Sequence, residues 1–275
     1  MLNMALLMYV VRRNFTSAAM LFLIILELSV VGIIVFGVHV NYVDGVLTEF
    51  RFFNHDVMES GYAYFTGIFL KSLAVIIHYF VVFFFLAGFS SLAYEFLESG
   101  KTELLLVRPV TRAGLFVSTL SGTAVSLAWN LLVFAALLAG IVSAKTGSIV
   151  LGPFVYGSTL FALELMLYAG ITWSLVLLLK SSTWSTGIMI VYYLLVDGML
   201  SRRASPDLFG GVVARFVSVL RTVLPHPTQL TALSTEAFFD LSPPFSYTGS
   251  EFVRALIFCL LLTAFSIRGF RKKEF

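Results

Sequence analysis

The stretch Glu95-Phe-Leu-Glu98-Ser-Gly100-Lys101-Thr102-Glu103-Leu-Leu-Leu-Val-Arg108-Pro109-Val-Thr111-Arg112 lies between two long apolar stretches, residues 62–89 and 113–144. Each flank exceeds the roughly 20 residues that a helix needs to cross a hydrocarbon core of about 30 Å. The stretch itself mixes charges of both signs with a glycine and a proline. In this chain 59% of residues are hydrophobic and only 12% are charged, whereas soluble domains carry about 25% charge. The charged run therefore belongs in water beside a bilayer, and its flanks read as membrane spans.

Working outward, apolar stretches of spanning length occupy 15–38, 62–89, 113–144, 153–179, 183–200 and 252–267. They predict an all-α integral membrane protein with six transmembrane helices in one domain covering 1–275. The first stretch is much longer than the ~7–15 apolar residues of a cleaved signal peptide, so it is expected to remain as an anchor. Cys259 is the only cysteine, which excludes an intrachain disulfide and a multi-cysteine metal site. Lysine and arginine near span ends set orientation. With both termini cytoplasmic, the inner face receives Arg12, Arg13, Lys101, Arg108, Arg112, Lys180, Arg268, Arg271, Lys272 and Lys273, and the short outer loops only Arg51 and Lys145. The expected location is the cell (inner) membrane. The net charge of +3 is then a topology signal, and it carries no inference of nucleic-acid binding.

Three segments flank the spans. Residues 1–14 read either as a short interfacial helix along the inner surface or as an extension of the first span. Residues 39–61, with Asp44, Glu49, Asp56 and Glu59, read as a solvated outer connector. Residues 201–250 are long for a connector and hold five prolines, Pro206, Pro225, Pro227, Pro243 and Pro244. Within them 207–224 has helical periodicity: Phe209, Val212, Val213, Phe216, Val217, Leu220 and Leu224 supply an apolar face that needs covering. The expectation is an outer helix that is re-entrant or lies at the interface between spans 5 and 6.

Gly100-Lys101-Thr102 matches the tail of a phosphate-binding loop, G-x-x-x-x-G-K-[ST], but its first glycine would fall at Glu95, whose carboxylate repels phosphate. No H-E-x-x-H pair arises from His39, His55, His78 and His226, and no G-x-S-x-G elbow is present. No cofactor or metal is expected in this chain, and no catalytic residue. Within the spans, Glu27, His78 and Glu164 fall near the midplane, and Lys71 and Asp197 nearer the outer leaflet. Ionisable groups there turn toward the bundle interior or a cavity. They line a substrate path, or they pair across helices, Lys71 with Asp197 or Glu27 with His78, and fix packing. Asn130 is expected to hydrogen-bond a neighbouring helix, and Gly122, Ser126, Gly140 and Ala144 permit close helix approach.

In the charged stretch, Gly100 allows a turn, Pro109 stops or redirects a helix, and Leu104, Leu105 and Leu106 need an apolar partner. A short helix under the bilayer, charges down and leucines up, satisfies all three. Here the chain resembles the permease subunits of type-2 ABC exporters. Their pattern has a glutamate two residues before a glycine, then Thr-Leu-Glu, a leucine run and Pro-Val-Ser/Thr-Arg. It falls without a gap on Glu98, Gly100, Glu103, Leu104 to Leu106, Pro109, Val110, Thr111 and Arg112; Lys101 and Thr102 replace the usual threonine and leucine. The six spans, the long proline-bearing outer segment and the basic tail extend the likeness along the chain.

The resemblance implies a dimer of permeases, homodimeric or of related chains, each docked on a separate ATP-binding subunit that holds ATP and Mg. It implies that residues 91–112 form a cytoplasmic coupling helix between spans 2 and 3. Glu95, Glu98, Gly100, Lys101, Glu103, Arg108, Pro109 and Arg112 would be its contacts to the partner, beside the interfacial helix of 1–14. The route would run between first, second and fifth spans, with Glu27, His78, Glu164, Lys71 and Asp197 as its candidate polar lining. The rival expectations are a membrane scaffold or sensor that docks a cytoplasmic partner without transport, and an intramembrane enzyme with an unrecognised site.

Overall fold

A computed structural model describes residues 4–43, 46–57, 71–95, 112–146 and 151–197, together with single helical positions between Gly211 and Ser234 and between Val253 and Arg268. The architecture is mostly helical. In chain order the elements are α1 (Met4–Phe15), α2 (Ala18–Gly32, widening into a π-type turn over Ile33–Gly37), β1 (Val38–Val43), β2 (Val46–Phe52), β3 (His55–Asp56), α3 (Lys71–Glu95), α4 (Arg112–Thr146), α5 (Gly152–Leu179) and α6 (Ser182–Val191, continuing as a π-type turn to Asp197).

Among the described residues, four helical stretches are long and apolar enough to cross a membrane: Ala18–Gly37, His78–Glu95, Gly114–Lys145 and Phe154–Leu179. They overlap the first four expected spans, but the second runs on past the expected end at Phe89 to Glu95, so residues 91–95, expected in the cytoplasmic coupling segment, continue α3 instead. The distribution of residue types inverts that of a soluble protein. Leu21, Ile25, Leu28 and Phe36 of α2, and Val125, Trp129, Leu132 and Leu137 of α4, point outward at helical spacing. Polar Glu27, His78, Thr119, Thr123, Ser126, Asn130 and Glu164 are buried between helices. Hydrocarbon outside and polar contacts within are what a lipid solvent selects.

The helix ends follow from local chemistry. Thr16 donates to the carbonyls of Arg12 and Arg13, and Ser17 to that of Asn14 at 2.6 Å. These bonds finish α1, and Ser17 then caps α2 by accepting from Met20 N. Residues 4–15 are therefore a separate helix and not an extension of the first span. Lys180 takes a left-handed conformation (φ 52°) that closes α5, and Ser181 caps α6. In the absence of glycine at that closing position, the chain makes its turn with an exposed lysine.

The main core gathers α1, α2, α3, α4, α5 and α6 around fully buried Trp173, Tyr168, Tyr193 and Phe116. Phe116 and Trp173 meet edge to face at 5.3 Å. Helix α1 packs on α4, α5 on α3 and α4, and α6 on α3 and α5. Close approach is set by glycine: a Cβ on Gly122 would lie 2.6 Å from Val10, and one on Gly88 2.2 Å from Ala19. Among the described residues nothing would come within 4 Å of a Cβ on Gly140, so of Gly122 and Gly140 on α4 the earlier glycine marks the tight seam.

The connector after the first span is not irregular. It forms a three-stranded antiparallel sheet, β1-β2-β3, with Val38 opposite Phe52 and a bulge at Asn41/Tyr42. Phe53 and Asn54 both have positive φ in the tight turn that pairs Phe52 with His55, the geometry of a two-residue hairpin loop. Phe53 N donates to Gly37 O at 2.8 Å, and its ring occupies the space a side chain at position 37 would need. Lys145, at the far end of α4, donates Nζ to the carbonyls of Val35 and Val38. These bonds tie the end of α2, the sheet and the end of α4 together.

Candidate functional site

The residues expected to matter fall into two groups. In the first, Glu95 is the last residue of α3, and Arg13 of α1 donates Nη2 to its Oε2 at 3.1 Å. Arg112 begins α4. Glu98, Gly100, Lys101, Glu103, Arg108 and Pro109 lie outside the described residues. The pair Arg13–Glu95 is partly exposed, with side chains 45% and 26% accessible, so its net worth is about 0.2–1 kcal/mol. At that magnitude it fixes the position of α1 against the end of α3 more than it stabilises the fold.

Helix α1 is held to α4 more firmly than to α3. Leu6, Val10 and Asn14 form its buried face, with Val10 in the notch left by Gly122. Asn14 donates Nδ2 to Thr123 Oγ1 at 3.3 Å and to Ser126 Oγ at 3.4 Å. Both hydroxyls spend their own protons on carbonyls one turn back, Thr119 O and Gly122 O. They can therefore only accept from Asn14, which fixes the orientation of its amide. Asn14, Thr123 and Ser126 were not singled out as a contact by sequence reasoning; the available signal was an asparagine at the end of an amphipathic segment.

The second group lies within the spans. Glu27 of α2 does not pair with His78. Asn130 of α4 donates Nδ2 to Glu27 Oε1 and Oε2 at 2.8 and 2.9 Å. His78 of α3 lies instead with Nε2 3.0 Å from each carboxylate oxygen of Glu164 on α5, its ring 4.5 Å from that of Phe161. The reason is where each helix turns its face. Met20, Leu23 and Glu27 share the buried stripe of α2, which brings Glu27 to α4, while α3 packs on α5 at His78. The structure thus provides two separate polar clasps, α2 to α4 and α3 to α5. Lys71 begins α3 and Asp197 ends the π-type turn after α6; the side-chain pairing expected of them lies outside what is described. Asn130 does bond a neighbouring helix, as its position implied.

Within residues 201–250, Gly211, Arg215 and Val219 are helical. Leu230 is buried in a small cluster with Leu160 and Leu167 of α5, and Ser234 donates to Gly157 O at 2.9 Å. Leu230 and Ser234 therefore pack against α5, touching it over more than two of its turns. Among the described residues no cluster of three or more histidine, cysteine or carboxylate side chains could hold a metal. No protein-family model matches the chain, and no curated protein is similar to it.

Proposed function

We propose that the chain is the permease subunit of an ATP-driven ABC transporter of the type-2 exporter class. It would pair with a second permease copy and dock through residues 91–112 on a separate ATP-binding subunit in the cytoplasm. ATP and Mg belong to that subunit; this chain supplies the path and receives the stroke. The complete reading has six spans, adding α6 and the helical positions from Val253 to Arg268 to the four long helices, with both termini cytoplasmic.

The observation that carries the reading is the Arg13–Glu95 bond, made where α3 runs into the charged stretch. A push on that stretch reaches α4 directly through Arg112 and reaches α1 through Arg13. Helix α1 is itself seated on α4 at Gly122, Thr123 and Ser126, so both inputs converge on one helix. Helix α4 has 35 residues and is about 52 Å long at 1.5 Å per residue, well beyond the about 30 Å of hydrocarbon. If Lys145 stands at the outer boundary, the surplus falls at the end that α1 grips, which supports reading α1 as a lever arm at the inner interface. Glu27–Asn130 carries the motion of α4 to α2. A bistable bundle biased by a ligand of its partner is the expected mode of response.

The test begins with the tagged full chain purified from its native membrane under mild detergent. An ABC-type ATP-binding subunit should co-purify, and the complex should hydrolyse ATP. Arg13→Glu should keep the subunit bound and lower turnover several-fold, and Arg13→Glu with Glu95→Arg should restore it. If no ATP-binding subunit co-purifies and no ATP is hydrolysed, the permease reading fails and the scaffold or sensor takes its place.

A further inference from the structure

Helix α1 has 12 residues and is about 18 Å long at 1.5 Å per residue, too short to cross a hydrocarbon core of about 30 Å. The first membrane-crossing stretch, Ala18–Gly37, has 20 residues and matches that core by itself. Helix α1 ends at Phe15, and Ser17 caps the start of α2. A span that begins at Ala18 therefore leaves α1 at the level of the lipid head groups.

Turning by about 100° per residue, α1 divides into three sectors. Leu6, Val10 and Asn14 form the buried face against α4. Beside it lies an apolar sector that ends in Met4 and Met8, which are 66% and 60% exposed. Tyr9 and Arg13 belong to the third sector, from which Arg13 reaches Glu95. Arg12 stands on the line between the apolar sector and this polar one, and it is exposed. Among the described residues its guanidinium has no hydrogen bond or ion pair. One arginine of α1 is thus matched by a carboxylate, and the other is an unmatched cation next to two outward methionines.

A cation at the rim of an exposed apolar stripe is the pattern of a helix that lies in the head-group region. The aliphatic stem of arginine covers apolar surface while its head stays in the polar layer, and the planar guanidinium fits a phosphate with two parallel hydrogen bonds. We propose that this outward side of α1 binds an anionic membrane lipid, with Arg12 on its phosphate and Met4 and Met8 against the upper part of its acyl chains. A zwitterionic lipid brings a cation of its own to its phosphate; an anionic one, such as phosphatidylglycerol, leaves that place to Arg12. The site rests on the chain being a membrane protein and not on the permease reading, and either can fail without the other. Protein on one sector and lipid on the next would hold α1 at the membrane surface.

The experiment reconstitutes the full chain in phosphatidylcholine vesicles with a trace of either phosphatidylglycerol or phosphatidylcholine that carries a photoactivatable diazirine near the top of one chain. Cross-linked residues are mapped by mass spectrometry. Expected is labelling at Met4 and Met8 with about five-fold preference for phosphatidylglycerol, the equivalent of about 1 kcal/mol for one basic side chain at an anionic surface. At outward Leu21 and Ile25 of α2 the two lipids should label alike. Raising the salt concentration should shrink the preference, Arg12→Gln should abolish it, and Arg12→Lys should keep most of it. Labelling at Leu21 and Ile25 but not at Met4 and Met8 overturns the surface and gives this side of α1 to a protein partner. Equal labelling by the two lipids in the unaltered chain, or a preference that survives Arg12→Gln, overturns the role of Arg12. Should Arg12→Gln fail to assemble, the lipid ratio of the unaltered chain at low and high salt decides whether the surface takes anionic lipid.

Discussion

Replacing Asn130 by leucine should destabilise the bundle more than replacing both Asn130 and Glu27 by apolar residues. Asn130 supplies both donor contacts to the Glu27 carboxyl, at 2.8 and 2.9 Å, and both residues are 8% exposed. Asn130→Leu leaves a buried carboxyl without a donor among the described residues, for which the cost is about 2 kcal/mol or more. Glu27→Met leaves a neutral amide, a cost of about 1 kcal/mol, nearer the average of about 0.6 kcal/mol for interhelical hydrogen bonds in a membrane protein. The double variant removes both polar groups at similar volume and should fall below either single change. The coupling in a double-mutant cycle is then about 2 kcal/mol. Unfolding in mixed micelles of detergent and dodecyl sulfate, followed by far-ultraviolet circular dichroism, measures all four proteins. If the double variant costs the sum of the singles or more, Glu27 is not held by Asn130 and the α2–α4 clasp is refuted.

On the same helix α4, glycine to alanine should have opposite effects at two positions. Gly122→Ala drives Cβ into Val10 and should cost about 1–3 kcal/mol, whereas Gly140→Ala meets none of the described residues and should stabilise by up to about 1 kcal/mol; the same unfolding assay reads both, and equal effects would refute the α1 seam. Lys180→Gly relieves a left-handed lysine and should stabilise by a few tenths to about 1 kcal/mol, with a loss of stability counting against that turn. Phe53→Asn suits the positive φ of its hairpin position but forfeits the ring packed over Gly37, so Phe53→Asn alone should be near neutral and Phe53→Asn with Gly37→Ala should be tolerated where Gly37→Ala alone is not.

The helical part of the fold was legible because hydrocarbon demands runs of apolar residues and forbids unpaired backbone, so length alone marks the first four spans. Their ends were legible only where a hydroxyl stood ready to cap, as at Ser17 and Ser181. The sheet was missed although its signal was present: Val38, Val40 and Tyr42 alternate before Asp44-Gly45, and Val46, Thr48, Phe50 and Phe52 after it, a strong local hairpin pattern. The charged residues between them drew the reading toward a solvated loop, and strands of six or seven residues are easily lost beside spans four times as long.

Which polar residues are buried was also legible, since their cost in lipid leaves few places to put them. Their partners were not, because pairing depends on the rotation of each helix about its axis, and nearly uniform apolar helices such as α3 and α5 carry almost no periodic cue to that rotation. Glu27 and His78 stand at similar depth and opposite formal character, so depth alone made them a pair. Two tight contacts, Val10 on Gly122 and Ala19 on Gly88, set how α1 meets α4 and α2 meets α3. Once those seams are closed, Glu27 is carried to Asn130. The small residues therefore choose the partners of the charged ones, and altering a seam should re-pair a clasp: Gly88→Val, which forces α2 off α3, should weaken coupling between Glu27 and Asn130 in the double-mutant cycle, while Gly140→Val should leave it unchanged.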